Sequence, residues 1–367
     1  MALDEARLED LLRFLVERRG SDLHLKVGTP PRVRVDGHLQ PAPFDAPTAA
    51  DTERLAFALL PPARADEFEA TSEADFALDR PGVGRFRVNV YRQRGTVALV
   101  FRAVPPGIPS FASLGLPPVV ERLAEERRGL VLVTGPTGSG KTTTIASMLD
   151  HVNTTRAVNI VTIEDPIEVL HQDKLAIVSQ REVGADTGGF AEAMRRVLRQ
   201  DPDVIFVGEM RDPETVWAAL AAAETGHLVL STLHTADTIE TVNRIVDFFP
   251  AHQHRQIRLS LATSLRGIVS QRLLERRNSE GRVPAVEVLV NTGRVFDRIA
   301  DPDAPGDSLE AIVASGDYYG MQTFDQALLG LYRDGEIGLA DALATASNPS
   351  DLRVALQQAG LPVTAGV

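Results

Sequence analysis

Leu8, Leu11, Leu12 and Leu15 recur at helical spacing and give one apolar stripe, which predicts an amphipathic helix at the start of the chain. The period then changes to two. In SDLHLKV, Leu23, Leu25 and Val27 fall on one face and Asp22, His24 and Lys26 on the other, the pattern of a half-buried strand. RVRVDGHL repeats the alternation and carries Asp36-Gly37, a strong hairpin signal. GRFRVNVY and TVALVFRAV predict a further strand pair about the polar turn near Gly95. Residues 105–118, PPGIPSFASLGLPP, follow neither period. They are uncharged and rich in Pro and Gly, and read as a semi-rigid connector.

Beyond this break the pattern changes to short, almost purely apolar runs alternating with helical stretches. The runs are LVLVT (130–134), VNIVTI (158–163), VIFV (204–207), LVLS (228–231) and VPAVEVLV (283–290). Such runs suit a parallel sheet covered on both faces. Residues 297–307 are polar and predict a loop, and the chain from Tyr318 onward reads as helical. The expected organisation is α/β: a small domain over 1–104, a linker over 105–118, and a larger domain over 119–367 that ends in a helical region. A length of 367 residues agrees with two domains.

Composition narrows the function classes. There is no cysteine, which excludes disulfides and thiolate metal sites. The net charge of −12 disfavours a general nucleic-acid binder. No apolar run approaches the roughly 18 residues of a membrane span, and MALDEARLED lacks the basic-then-apolar plan of a secretory leader. The expectation is a cytoplasmic chain without direct membrane insertion, reaching a membrane only through a partner.

Gly135-Pro136-Thr137-Gly138-Ser139-Gly140-Lys141-Thr142 matches the phosphate-binding loop G-x-x-x-x-G-K-[ST]. It follows a predicted strand and precedes a predicted helix, as the mechanism requires. Glycines let backbone N–H groups turn inward around the phosphates, Lys141 is expected to reach the β- and γ-phosphates, and Thr142 to hold Mg²⁺. DPDVIFVGEMRDP ends a buried strand at Glu209, a candidate for orienting water or the metal-bound water shell. Asp212 before Pro213 is the better helix cap, which leaves Glu209 for chemistry. VTIEDPIE places Glu164 at another strand end, the first choice for a base or orienter of water. Glu168 reads equally well as a surface turn residue.

His227 and His234 flank the strand in ETGHLVLSTLHT. They read either as structural residues or as γ-phosphate or interface contacts. Arg85 and Arg87 share the polar face of one predicted strand and Arg102 ends the next. They form either a solvated sheet face or a set of cations reaching a neighbouring subunit's nucleotide, a contribution of roughly 10³–10⁵ in rate where it occurs.

These residues carry a resemblance that covers nearly the whole chain. SDLHLKVGTPPRVRVDG, GRFRVNVYRQRG, GPTGSGKTTT with Thr143, VTIEDPIE, SQREVGADT, RQDPDVIFVGEMRD, ETGHLVLSTLHT, GMQTFDQAL and LATASNP resemble the PilT family of type IV pilus retraction ATPases, within the secretion ATPases. The resemblance implies a PAS-like N-terminal domain, a RecA-like P-loop ATPase domain, and a homo-hexameric ring that binds ATP and Mg²⁺. It implies a platform protein of the inner membrane as partner, and leaves open a paralogous pilus ATPase. It places Glu164, Glu209 and His234 with Arg102 in catalysis, Glu209 and Thr142 at the metal, and His227, Arg85 and Arg87 among the nucleotide contacts. The family's A-I-R motif is absent: NTGRVFDRIADPDAPGDSLEAIVASG stands in its place. The competing readings are a pilus assembly or type II secretion ATPase, disfavoured by the absence of a four-cysteine module, and a weakly hydrolysing ATP-binding ring that regulates another motor. A nucleic-acid translocase is disfavoured by the acidic charge and the lack of an aromatic-basic stripe.

Overall fold

The leucine stripe at the start of the chain forms α1 (Glu5–Glu17), and all four of its leucines are fully buried. The computed structural model describes residues 5–35, 37–104, 107–278 and 281–363. They group into two units. The first comprises Met1–Gly107 together with Asp165–Leu170 and Glu182–Asp186, and the second Ile108–Glu164, His171–Arg181 and Thr187–Val367.

In the first unit, β1 (Asp22–Leu25), β2 (Arg32–Val35) and β3 (His38–Pro41) precede α2 (Ala49–Leu59) and α3 (Pro62–Thr71). β4 (Glu73–Arg80), β5 (Gly84–Gln93) and β6 (Thr96–Val104) follow. The sheet order is β3-β2-β1-β6-β5-β4, antiparallel throughout, so the first and last strands meet in the middle. Period-two patterning decides its faces. Leu23, Val33, Phe86, Val88 and Phe101 turn into the core with the leucines of α1. Arg34, Asp22, Arg102 and Arg87 stand in one cross-strand row on the other face. The Asp36 half of the predicted hairpin turn lies outside the described residues. Val35 opposes His38 across it, and Gly37 has φ 80°, which a side chain there would disfavour.

The second unit opens with α4 (Phe111–Leu114) and α5 (Pro118–Ala124), so the stretch read as a linker is partly folded. The Ser110 side chain caps α4, and Ser147 Oγ donates to the Pro109 carbonyl at 2.6 Å. Pro105 and Pro106 lie outside the described residues. Then come β7 (Gly129–Thr134), α6 (Lys141–Thr155), β8 (Asn159–Glu164), β9 (Ile177–Glu182), α7 (Phe190–Val197), β10 (Val204–Val207), α8 (Pro213–Glu224), β11 (Leu228–Leu233), α9 (Thr238–Asp247) and α10 (His254–Ser264). The long strands β12 (Leu265–Glu275) and β13 (Arg282–Val290) complete a seven-stranded sheet, β13-β12-β7-β11-β10-β8-β9. β12, β7, β11, β10 and β8 run parallel, and β13 is antiparallel to β12.

All of β7, β10 and β11 is buried, which accounts for their unbroken apolar character. α11 (Gly293–Ala300), α12 (Leu309–Ala314), α13 (Phe324–Arg333), α14 (Leu339–Thr345) and α15 (Pro349–Gln358) end the chain. The loop expected over 297–307 starts late, because Thr292 caps α11 and the helix runs on to Ala300. The last helices pack Phe324, Leu328, Leu352 and Leu356 against Leu274 and Val283 of β12 and β13. Among the described residues no helix is long and apolar enough to cross a membrane.

Candidate active site

Four adjacent parallel strands of the second unit end along one edge of the sheet. In the order β7, β11, β10, β8 they deliver the phosphate loop, His234, Glu209 and Glu164. The registers align these ends: Thr134 is opposite Leu233, Ser231 opposite Val207, and Val207 opposite Ile163. Carboxyl ends of strands are where open α/β sheets bind ligands.

Residues 135–140 turn tightly between β7 and α6. Gly135, Gly138 and Gly140 have φ of 140°, 81° and 93°. A Cβ on Gly135 would lie 2.4 Å from the Gln271 carbonyl oxygen, so only glycine fits there. Lys141 is buried, and its Nζ donates to the carbonyls of Gly135 at 2.7 Å and Pro136 at 3.0 Å. Ser139 is also buried, and its Oγ has no hydrogen-bond partner among the described residues. A buried hydroxyl with unused capacity beside a helix N-terminus fits an anionic oxygen. Pro136 and Thr137 are exposed on the loop, and Thr142 and Thr143 are exposed in the first turn of α6.

His234 stands between the loop and the next strand end. Its Nδ1 is 3.5 Å from Lys141 Nζ and its Nε2 is 3.4 Å from Glu209 Oε2. The neutral tautomer protonated at Nε2 satisfies both neighbours, accepting from the ammonium and donating to the carboxylate. Glu209 Oε2 also accepts from Arg211 Nη2 at 2.7 Å. Glu164 is held more tightly: its Oε1 accepts from Thr162 Oγ1 at 2.6 Å and from Gln180 Nε2 at 3.0 Å, and the residue is 8% exposed. Glu164 is three strand steps from the phosphate loop and Glu209 two, at about 4.8 Å per step.

His227 stands elsewhere in the chain. It precedes β11, at the amino end of the strand, and Gly129 at the start of β7 donates to its carbonyl. Its ring Nδ1 lies 3.0 Å from the Ala222 carbonyl. The six residues of β11 separate it from His234 and from the loop, so within one chain it does not share their site. Thr162, Gln180, Ser270 and Gln271 were not singled out from the sequence. For Thr162, Ser270 and Gln271 the signal is polarity among aliphatic strand residues, whereas Gln180 lies in the SQREVGADT stretch on the mixed strand β9.

The arginines belong to the first unit. Arg85 is mostly enclosed: Nε donates to the Ile167 carbonyl at 3.1 Å and Nη2 to Glu182 Oε2 at 3.2 Å. Arg87 donates to Glu168 Oε1 at 2.6 Å. Glu168 is therefore an ion-pair partner rather than a bare turn residue, and both arginines are engaged within their own unit. Arg102 differs, with its side chain 66% exposed while Nε holds Asp22 Oδ1 at 2.9 Å.

Asp22 is held below its ordinary carboxyl value. Burial pushes it upward, but the Ser21 hydroxyl and the Arg102 hydrogen bond and charge outweigh that. A depressed carboxyl adds stability above its unfolded value and loses it as pH falls through the folded one. Asp22→Asn therefore lowers the melting temperature at neutral pH, and the gap from the parent closes on acidification. A gap of constant size down to acid pH would show that the charge is not the cause.

Residues 110–304 match the family model described as type II/IV secretion system protein. The chain is 42% identical over 344 residues to the type IV pilus retraction ATPase PilT of Pseudomonas aeruginosa, covering 94% of this chain and 99% of that one. It is 41% identical over 349 residues to the type IV pilus ATPase PilU of the same organism, covering 95% and 91%. A crystal structure of the pilus retraction motor PilT with bound ADP superposes with a TM-score of 0.86 at 46% identity, over 94% of this chain and 98% of that one. With its loop, histidine and carboxylates gathered on adjacent strand ends, this is a P-loop ATPase, and the chain belongs to the type II/IV secretion system protein family. Within it, the chain belongs to the PilT family of pilus retraction ATPases.

Proposed function

We propose that this chain hydrolyses ATP to drive type IV pilus retraction, as a ring of six copies docked on a platform protein of the inner membrane. The observation that carries the catalytic part is His234, set between Lys141 Nζ and Glu209 Oε2 beside the phosphate loop. Lys141 neutralises charge on the transferred phosphoryl oxygens, Glu209 orients water and accepts its proton, and His234 holds the two in register. Glu164, fixed by Thr162 and Gln180, supplies a second negative strand end.

Mg²⁺ fits this donor set. Thr142 and Glu209 offer the hard oxygens it prefers, and it commonly takes only one or two protein ligands beside nucleotide oxygens. When bound, Mg²⁺ would neutralise the β- and γ-phosphate oxygens.

Arg102 is the arginine best suited to act across a subunit boundary, because its side chain is 66% exposed although Nε holds Asp22, against 40% for Arg87 and 15% for Arg85. Mixing Arg102→Ala with Lys141→Ala chains partly restores turnover, since some interfaces then pair an intact loop with an intact arginine. No restoration would mark Arg102 as structural.

A second reading is favoured by the missing A-I-R motif and the near-equal likeness to PilU: a weakly hydrolysing partner ring that regulates another motor. Its place is taken by α11, where Arg294 pairs with Asp307 and Arg298 donates to the carbonyls of Pro302 and Ala304. Deleting the gene in its host and counting surface pili tests the main reading. Excess pili are expected, and loss of pili would assign the chain to assembly. Turnover by the purified ring separates motor from regulator.

A further inference from the structure

Glu287 is 5% exposed, in the middle of β13, and is not among the residues placed in the site. Its Oε1 accepts from the backbone N and the Oγ1 of Thr238, each at 2.8 Å, and its Oε2 accepts from the backbone N of Phe324 at 3.3 Å. Thr238 is the first residue of α9 and Phe324 the first of α13. One buried carboxylate thus meets the positive ends of two ten-residue helices and satisfies an otherwise unpaired donor of each. Directly across the ladder stands Ser270, whose Oγ is 2.7 Å from Thr134 Oγ1, the residue before the phosphate loop.

The placement matters because of what precedes α9. Leu233 is locked in β11 against Thr134, Thr238 is locked by Glu287, and residues 234–237 bridge the two anchors. The loop is stiffened by Asp237, which accepts from Glu240 N at 2.7 Å, and by Ala236 N, which donates to Glu240 Oε2 at 2.8 Å. A shift of Thr238 is therefore passed toward His234 through only three intervening residues. The contacts of His234 to Lys141 and Glu209, at 3.5 and 3.4 Å, lie at the outer limit of hydrogen bonding, so a small shift makes or breaks them.

We propose that Glu287 is a positioning residue for hydrolysis: by tying α9 to α13 it lets the C-terminal helices set the stance of His234 between Lys141 and Glu209. The proposal rests on the nucleotide-site reading above. It makes the C-terminal helices an input to turnover. A load or partner that shifts α13 alters the rate without touching nucleotide.

Glu287→Gln keeps the shape but turns an N–H₂ toward one of the two helix starts, so one helix loses its acceptor. In the assembled full-length ring, kcat falls by up to about a hundredfold, as a displacement near 1 Å can cost. ATP affinity, read with a fluorescent analogue, stays at the parental value. In a His234→Ala background Glu287→Gln causes no further fall, because the group it positions is gone. An equal fall in both backgrounds, a parental kcat, or a loss of affinity matching the loss of rate would overturn the proposal. Thr238→Val, which removes only the hydroxyl donor, gives the same pattern at smaller size and decides the matter if Glu287→Gln does not fold. Lys141→Ala run alongside keeps the two readings apart. If it hydrolyses at the parental rate, the site itself is wrong. If it is inactive while Glu287→Gln and His234→Ala multiply, only the positioning role fails.

Discussion

Lys141→Ala lowers ATP turnover by about 10²–10³-fold or more, the loss that follows removal of one preorganised donor from developing negative charge. The residue is almost completely enclosed, and its ammonium is already fixed at the mouth of the loop by the Gly135 and Pro136 carbonyls. Little reorganisation is then needed to swing it onto a phosphate, which is the condition under which such a group is most effective. The substitution also removes the cation that would meet the phosphates, so nucleotide affinity falls together with the rate. Steady-state hydrolysis, with circular dichroism as a fold control, measures this. A folded Lys141→Ala ring that turned over ATP at the parental rate would remove the phosphate loop from the mechanism.

Glu209→Gln separates binding from chemistry. The amide keeps an oxygen for His234 and Arg211 but cannot accept a proton, so hydrolysis falls by about 10²–10⁴-fold, the range for a positioned acid–base group. ATP is retained, because the loop and Lys141 are untouched. Single-turnover kinetics and a filter-binding measurement distinguish the two effects. Glu164→Gln is the natural comparison. Its carboxylate is held by Thr162 and Gln180 and lies one strand further from the loop, so the amide is tolerated better than at Glu209. If Glu164→Gln proved the more damaging, the water-orienting role would pass to Glu164.

The sequence alone puts Glu164 first, and the proposed ranking differs because of the sheet. Glu164 and Glu209 look alike along the chain, each at the end of an apolar run. What separates them is strand order. Sequence order places the Glu164 strand next after the phosphate loop, whereas the sheet inserts β11 and β10 between them. The histidines show the same effect in reverse. His227 and His234 flank one strand, and only the polarity of a parallel sheet decides which meets the loop.

Three strands were overlooked in the sequence: β4, despite the alternation of Ala74, Phe76 and Leu78, and two with mixed patterns, β9 and β12. β9 lies at the sheet edge with much of its length half-exposed, and so lacks a continuous apolar run. β12 carries Arg266, Ser270, Gln271 and Arg272 among its aliphatic residues, because its polar groups pair with Thr134, Thr144 and Thr345 rather than with water. Buried hydroxyls and amides are invisible to a hydropathy pattern, yet each must find a partner that only the fold supplies.

The chain by itself determined the two-part α/β plan, the phosphate loop, the carboxylates at strand ends and the family. These depend on local periods of two and 3.6 and on a short glycine motif, and local sterics act through near neighbours. Only the tertiary structure decided that His234 rather than His227 reaches Lys141, that Arg85 and Arg87 are engaged while Arg102 is exposed, and that Glu287 joins two helix starts. Each of those facts is a meeting of groups far apart in sequence. Hydrogen bonds and ion pairs act over a few ångströms of space, and the order in which strands assemble sets which groups come within that range.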